Sequence, residues 1–122
     1  MGNVEINKDA ILAVKAPDGP FVMVNLFRLK DKTQFAEFLQ AMRNVAQRAI
    51  DTASAETLYA GAVGGEFIAG EDHWDRIVLV RYPNWQTLCD TFADDDLVKM
   101  VSAVRRKYLD DARFILTTAL HG

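Results

Sequence analysis

The chain has 122 residues, of which 50% are hydrophobic and 25% are charged, and its net charge is −3 from 14 basic and 17 acidic residues. This composition is ordinary for a globular protein of one domain, and the acidic balance argues against a nucleic-acid-binding groove, which needs a basic face. No apolar run reaches the ~20 residues that a membrane helix requires. The single cysteine, Cys89, cannot form an internal disulfide.

The first predicted element is a short helix that Asn7 caps, with Ala10, Ile11 and Val14 at helical spacing. Residues 1–6 lack the basic region and apolar core of a signal sequence, so we expect a cytoplasmic protein. Helix-breaking residues at 16–19 end the first helix. We therefore divide the single domain, 1–122, into an N-terminal helix and linker over residues 1–19 and a core over residues 20–120.

Strand one is predicted over residues 21–29 and carries apolar side chains on both of its faces. Successive strand residues point to opposite sides, so Phe21, Met23 and Phe27 face one way while Val22, Val24 and Leu26 face the other. A strand that is apolar on both faces must be covered on both faces. Asn25 is the polar residue in the middle of this run.

A long amphipathic helix follows, which Asp31 caps and which ends near Asp51. Residues 57–69 are rich in strand formers but are interrupted by glycines. They predict either a long second strand that bends at a glycine bulge or a small hairpin that turns at Gly64 and Gly65. The bent strand is the favoured alternative.

The second half of the chain predicts strand three over residues 75–82, a helix capped by Asn84, and a second helix that restarts at the acidic run 94–96. Residues 109–111 form a connection, and residues 113–120 form the last strand. The basic cluster 105–107 falls late in the second helix, where it complements the helix dipole.

The order β-α-β-β-α-β is that of the ferredoxin-like α+β fold, in which an antiparallel four-stranded sheet carries both main helices on one face. The other face would leave an apolar patch larger than monomers usually tolerate. We therefore expect a homodimer in which two sheets meet and close a dimeric α/β barrel.

Three segments, PFVMVNLFRLK, LYAG and WDRIVLVRYPNWQTL, resemble the bacterial family catalogued as domain of unknown function 1330. That family belongs with the dimeric α/β-barrel proteins, near the antibiotic-biosynthesis monooxygenases, muconolactone isomerase and the ether-degradation proteins. The resemblance implies a ferredoxin-like protomer, a dimer, and a cavity between sheet and helices or between two sheets. Positions that match the family pattern are Asn25, Arg28, Tyr59, Trp74, Arg81 and Tyr82.

Three polar residues are the candidates for catalysis. The Asn25 amide either donates to a substrate carbonyl or a developing enolate oxygen, or it satisfies a neighbouring backbone group or marks a polar spot in the dimer interface. Arg81 shares its strand parity with apolar residues, so it either clamps a carboxylate, or pairs with Asn25 around an anionic intermediate, or forms a structural salt bridge. His73 is the only internal histidine and would be the general acid or base, unless it is an exposed loop residue.

Phe27 and Trp74 are candidate walls of a ligand pocket, and Tyr59 is a candidate hydrogen-bond partner for a ligand. The alternatives are a core tryptophan and a half-buried strand tyrosine. The sequence GAVGG lacks the Lys-Ser/Thr pair of a phosphate loop and the strand-turn-helix of a dinucleotide site. Glu71, His73 and Asp75 alternate in a loop, which is weak support for a metal site. We expect neither a cofactor nor a metal.

These residues support three functions. The first is a cofactor-independent enzyme, similar to a monooxygenase or isomerase, that acts on an enolisable or phenolic anion. The alternatives are a non-catalytic ligand-binding dimer and a dimeric interaction module. An enzyme requires Asn25, Arg81 and a titratable group to converge on one volume, whereas a binding protein requires only the cavity.

Overall fold

The structure is a computed structural model that describes residues 2–120, so Met1, His121 and Gly122 lie outside the described residues. The helices are α1 (Lys8–Ala13), α2 (Phe35–Ala53), α3 (Trp85–Ala93) and α4 (Asp95–Tyr108). The strands are β1 (Phe21–Leu29), β2 (Glu56–Ala62), β3 (Arg76–Tyr82) and β4 (Leu109–Thr117), and a 3-10 turn covers Lys32–Gln34. None of these helices is long and apolar enough to cross a membrane.

The four strands form one antiparallel sheet in the order β2-β3-β1-β4. Each half of the core, β1-α2-β2 and then β3-α3-α4-β4, therefore supplies one central strand and one edge strand. This topology confirms the predicted ferredoxin-like α+β fold.

Strand β1 lies in the centre of the sheet, paired with β3 on one side and with β4 on the other. Its odd-numbered residues from Phe21 to Leu29 are buried, and its even-numbered residues are half-buried. The predicted bounds and the predicted alternation are both confirmed. Asn25 belongs to the buried set, with 6% of its surface exposed.

The helices cover the side of the sheet to which the buried residues of β1 point. One buried cluster joins Phe27 to Phe38 of α2 and to Tyr108 of α4. A second cluster contains Phe21, Met23, Trp85, Leu88 and Phe92, with Ile11 of α1 packed against it. Because every helix contributes to one of these clusters, the opposite side of the sheet is left without helix cover.

That uncovered side, which we call the open face, is largely apolar. Register pairs Val24 of β1 with apolar residues on both neighbouring strands, and it pairs Leu26 with Ile77 and Arg113. Its apolar residues on the three adjacent strands are Val22, Val24, Leu26, Ile77, Leu79 and Ile115. Both sides of the sheet are therefore apolar, as the sequence predicts.

Side-chain caps begin three of the helices as predicted. Asn7, Asn84 and Asp94 each accept, through a side-chain oxygen, the backbone N–H three residues further on. Asp31 also accepts a backbone N–H, from Thr33, but it starts the 3-10 turn and not α2 itself.

The second strand differs from the prediction. Strand β2 ends at Ala62, residues 63–75 form a loop, and there is no hairpin at Gly64 and Gly65. A bulge does occur, but the pairing of β2 with β3 shifts at Leu58, between Thr57 and Tyr59, and not at a glycine. The loop projects two fully exposed apolar side chains, Phe67 and Ile68.

The last strand begins earlier than predicted. Strand β4 starts at Leu109, so residues 109–111 belong to the sheet and are not a connection. An aspartate is unfavourable in a strand unless its carboxylate is satisfied. The Asp111 carboxylate accepts hydrogen bonds from the backbone N–H groups of Asn3 and Ala112 and from the Arg113 guanidinium, which compensates its burial.

Candidate functional site

Asn25 lies in the protein core beneath the helices. Its Nδ2 atom donates to the backbone oxygen of Val78, its direct partner on β3, at 3.3 Å. The amide therefore links two central strands, which is the structural alternative that the sequence leaves open.

Arg81 lies on the open face, near the end of β3 and opposite Val22 of β1. Its side chain is exposed. Because Asn25 points to the helix side, the sheet itself separates the two side chains. The predicted convergence of Asn25 and Arg81 on one intermediate is therefore wrong within a protomer.

His73 lies in the 63–75 loop, where its Nδ1 is 2.9 Å from Oε2 of Glu66. Its side chain is 62% exposed. The loop enters β3 at Arg76, whereas Arg81 is five residues further along, or about 17 Å at the rise of a strand. The three candidate catalytic residues thus occupy three separate regions of the protomer. Residues 2–120 also contain no group of three metal-ligating side chains.

The candidate ligand-binding residues are also separated. The Phe27 ring packs edge-on against Phe38, with 5.2 Å between ring centroids, so it belongs to the core. Tyr59 is 55% exposed on β2 beside Leu79 of the open face. Trp74 packs under the guanidinium of Arg113, whose Cζ is 4.9 Å from the ring centroid.

A cavity of about 630 Å³ lies on the helix side of β4, in a region that the sequence analysis did not select. Residues 3–14, which we call the N-terminal segment, form its outer wall. Its inner wall comes from β1, β4, α3 and α4. Apolar side chains that line it include Ile6, Ile11, Met23, Trp85, Phe114 and Leu116.

Arg105 of α4 is the unusual residue of this cavity lining. It is only 8% exposed, and its Nε atom has no hydrogen-bond partner among the described residues. The salt bridges within residues 2–120 do not include it. Its guanidinium carbon lies 6.0 Å from the centre of the Phe114 ring. The cavity therefore contains a buried cation whose charge no residue in the described range 2–120 neutralises by a salt bridge.

Burial lowers the pKa of Arg105 to about 10, because the charged form loses hydration, and the nearby Tyr82 and Glu5 only partly offset this effect. The Arg105 guanidinium remains charged at neutral pH. Burial also raises the pKa of the Tyr82 hydroxyl, which Arg105 counteracts. Tyr82 is thus a neutral phenol near a cation.

Four polar contacts attach the N-terminal segment to the core. The Asn3 N–H donates to Asp111 Oδ1 at 3.0 Å, and the Ala112 N–H donates to the Asn3 oxygen at 3.0 Å. Two ion pairs on the outside complete the attachment, Glu5 with Arg106 at 2.7 Å and Lys8 with Asp95 at 2.9 Å. The outer wall of the cavity is therefore held by discrete contacts, whereas the inner wall is part of the sheet and helices.

Asp111 anchors this attachment. Burial alone would raise its pKa, but hydrogen bonds from Asn3, Arg113 and Ala112 outweigh that effect and hold the pKa below the ordinary value of 3.8. Its carboxylate also lies 3.6 Å from Arg28. The aspartate is therefore ionised at neutral pH and fixes both the N-terminal segment and two arginines.

The signal that would have identified Arg105 is its helical spacing. It lies four residues after Val101 and three before Tyr108, on the apolar stripe of α4. Its neighbours Arg106 and Lys107 are exposed. The sequence predicts that this basic cluster complements the dipole of α4. All three basic residues lie in the last turn of α4, as predicted, and the burial of Arg105 is a feature that the prediction did not include.

Comparison with solved structures shows the same fold. The RPA0582 protein from Rhodopseudomonas palustris, a protein of unknown function, superposes with a TM-score of 0.79 at 19% identity, over 100% of both chains. Methylated RPA0582 protein gives a TM-score of 0.78 at 20% identity, over 98% of this chain and 96% of that one. A dabb family protein with a ferredoxin-like fold from Mesorhizobium loti gives 0.60 at 10% identity, over 85% of this chain and 100% of that one.

No family model matches the sequence, and no curated protein matches it. The topology and these structural neighbours define a protein of the ferredoxin-like α+β class.

Proposed function

We propose that this protein binds a small molecule in the cavity beneath its N-terminal segment, and that it acts as a homodimer. The observation that carries the proposal is the cavity, with a volume of about 630 Å³ and a mostly apolar lining. Small-molecule sites are typically concave, mostly apolar volumes of about 300–1,000 Å³ with a few polar groups that orient the ligand. The cavity has these properties.

The way in which the cavity is closed supports the same function. Its inner wall consists of regular secondary structure, which provides a preformed shape. Its outer wall, the N-terminal segment, is attached through Asn3 and through two exposed ion pairs. Exposed ion pairs contribute little free energy, so these two pairs add little to the cost of opening this wall for a ligand.

Catalysis by the predicted residues has less support. A cofactor-independent monooxygenase or isomerase would need Asn25, Arg81 and His73 around one substrate, but Asn25 bonds within the core and the other two lie at opposite ends of β3. Binding of a ligand requires none of the three. We therefore propose binding, and not turnover, as the function.

The open face supports the homodimer. It exposes a contiguous set of apolar side chains from three strands, including Leu79 and Ile115. Monomeric proteins rarely leave such a patch in water, and a two-fold copy of the same sheet would cover it and close a dimeric α/β barrel. The resemblance to the domain of unknown function 1330 family implies the same assembly. Membership of that family, the single-domain assignment and a cytoplasmic location remain predictions.

The binding proposal can be tested by a thermal-shift screen of the purified protein with small aromatic and aliphatic compounds, neutral and anionic. A ligand at ~100 times its dissociation constant adds about 2.7 kcal/mol of stability, which corresponds to a shift of several degrees. Ala10 is exposed and lines the cavity, so Ala10→Trp should fill part of it and abolish the shift. Ala13→Trp, on an exposed position of the same helix that does not line the cavity, is the matched control.

A shift that survives in Ala10→Trp would place the ligand elsewhere. If no compound shifts the wild-type protein, the small-molecule proposal fails, and the dimeric interaction module becomes the better account.

A further inference from the structure

The polar lining of the cavity carries information about its ligand. Two of the residues that line it are cationic, Arg105 and Arg113. Arg113 is neutralised, because it pairs with Asp111 at 2.6 Å and with Asp72 at 3.4 Å. Arg105 has no such partner among the described residues. The uncompensated charge of the cavity is therefore that of Arg105.

The chain has an acidic group nearby that does not neutralise Arg105. Glu5 lines the same cavity, but its carboxylate is 2.7 Å from Arg106, the exposed neighbour of Arg105. Placing a cation in an apolar environment without a partner is costly, and proteins normally pair such a charge or leave it in water. A ligand that supplies the missing anion would recover the lost interaction, and this free energy would contribute to its affinity.

We infer that the ligand of this cavity is a carboxylate with an apolar body, and that Arg105 receives its carboxylate group. This inference rests on the proposed function, because it specifies the ligand class of the same cavity. A guanidinium presents a planar fork of N–H donors that matches a carboxylate in a bidentate arrangement. Trp85, Phe114 and Met23 supply the apolar surface against which a ring or branched chain would pack.

The single unpaired charge of Arg105 favours a ligand with one negative charge. One unpaired guanidinium neutralises one negative charge, whereas a dianion such as a phosphate monoester would leave a net negative charge in an apolar cavity beside Glu5. An amide of the same shape lacks the charge altogether. A carboxylic acid and its amide therefore form a matched pair of probes for Arg105.

The experiment is isothermal titration calorimetry at neutral pH with three such pairs: benzoate and benzamide, 3-phenylpropanoate and 3-phenylpropanamide, and hexanoate and hexanamide. In the wild-type protein we expect at least one acid to bind about tenfold or more tightly than its amide, as charge-assisted hydrogen bonds imply. Arg105→Met should remove this preference, and Arg105→Lys should keep part of it. Arg43→Met, at an exposed arginine of α2, is the control and should change nothing.

Equal binding of acid and amide by the wild-type protein would overturn the carboxylate inference and leave the proposed function intact, since the cavity would still bind. A preference for the acid that persists in Arg105→Met would have the same consequence. If neither the acids, the amides nor any neutral compound binds, both proposals fail. The acid and amide comparison uses the unmodified protein, so it tests the ligand class even if Arg105→Met does not fold, and Arg105→Lys then tests the role of Arg105.

Discussion

Replacing Arg105 with methionine is expected to increase the free energy of unfolding of the ligand-free protein. The side chain is 8% exposed, and burial lowers its pKa well below the ordinary arginine value, to about 10. At about 1.4 kcal/mol for each pKa unit, the charged guanidinium costs the folded state on the order of 3 kcal/mol. Methionine replaces the aliphatic part of the arginine side chain as far as Nε and carries no charge, so the variant avoids this cost.

The sign follows from the direction of the shift. Because the pKa is lower in the folded protein, the destabilisation is fully present below about pH 10 and disappears only as the pH rises from there towards the ordinary pKa of arginine. The substitution also loses the contact of the guanidinium with the Phe114 ring, worth roughly 0.5–2 kcal/mol. The expected net gain at neutral pH is therefore about 1–3 kcal/mol.

The assay is urea unfolding followed by tryptophan fluorescence, in which the midpoint should rise while the slope stays unchanged. Arg43→Met is again the matched control, since an exposed arginine should contribute within about 0.5 kcal/mol. If the free energy of unfolding of Arg105→Met is lower than that of the wild-type protein by more than about 1 kcal/mol, the reasoning is refuted. The charge of Arg105 would then stabilise the ligand-free fold.

Four further outcomes are expected. Phe38→Ala should lower the free energy of unfolding by about 3–5 kcal/mol, because the ring is 1% exposed; a change near zero in urea would contradict its place in the core. Light scattering should find the wild-type protein dimeric and Leu79→Asp monomeric or insoluble, and a folded wild-type monomer would exclude the proposed interface. Asp111→Asn should make the free energy of unfolding fall less steeply on acidification. The low pKa of Asp111 in the folded protein contributes stability that is present above pH 3.8 and is lost as the pH falls through that folded-state pKa. Acid unfolding curves that are the same in the variant and the wild-type protein would contradict this expectation. Asn25→Ala should lower the free energy of unfolding by about 1 kcal/mol and leave ligand affinity unchanged. A loss of affinity would indicate that Asn25 takes part in ligand binding.

The sequence was sufficient for features that depend on local signals. The bounds of β1 follow from its apolar run, and the starts of α1, α3 and α4 follow from Asn7, Asn84 and Asp94, whose side chains bond to the backbone within the same turn. These interactions involve residues that are close in sequence, so the pattern of residue types contains them.

Features that depend on distant partners could not be predicted in the same way. Asp111 resembles a loop residue, and its place in β4 depends on Asn3, which is 108 positions away. Whether Asn25 and Arg81 lie on the same face of the sheet depends on the register of β1 against β3. This register pairs Asn25 with Val78, so Arg81 lies on the opposite face. The alternation of residues within β1 and within β3 does not determine how the two strands are aligned with each other.

The edges of the sheet limit how the protein can assemble. An unpaired edge strand offers backbone groups to which another chain can add, which is the usual route to fibres. Here the outward N–H of Ala112 on β4 is occupied by the Asn3 oxygen, and β2 is kinked by the bulge at Leu58. Lateral growth is therefore obstructed at both edges. When two copies pair through their open faces, both faces are buried in the interface, so no third copy can add there and the assembly is a closed dimer.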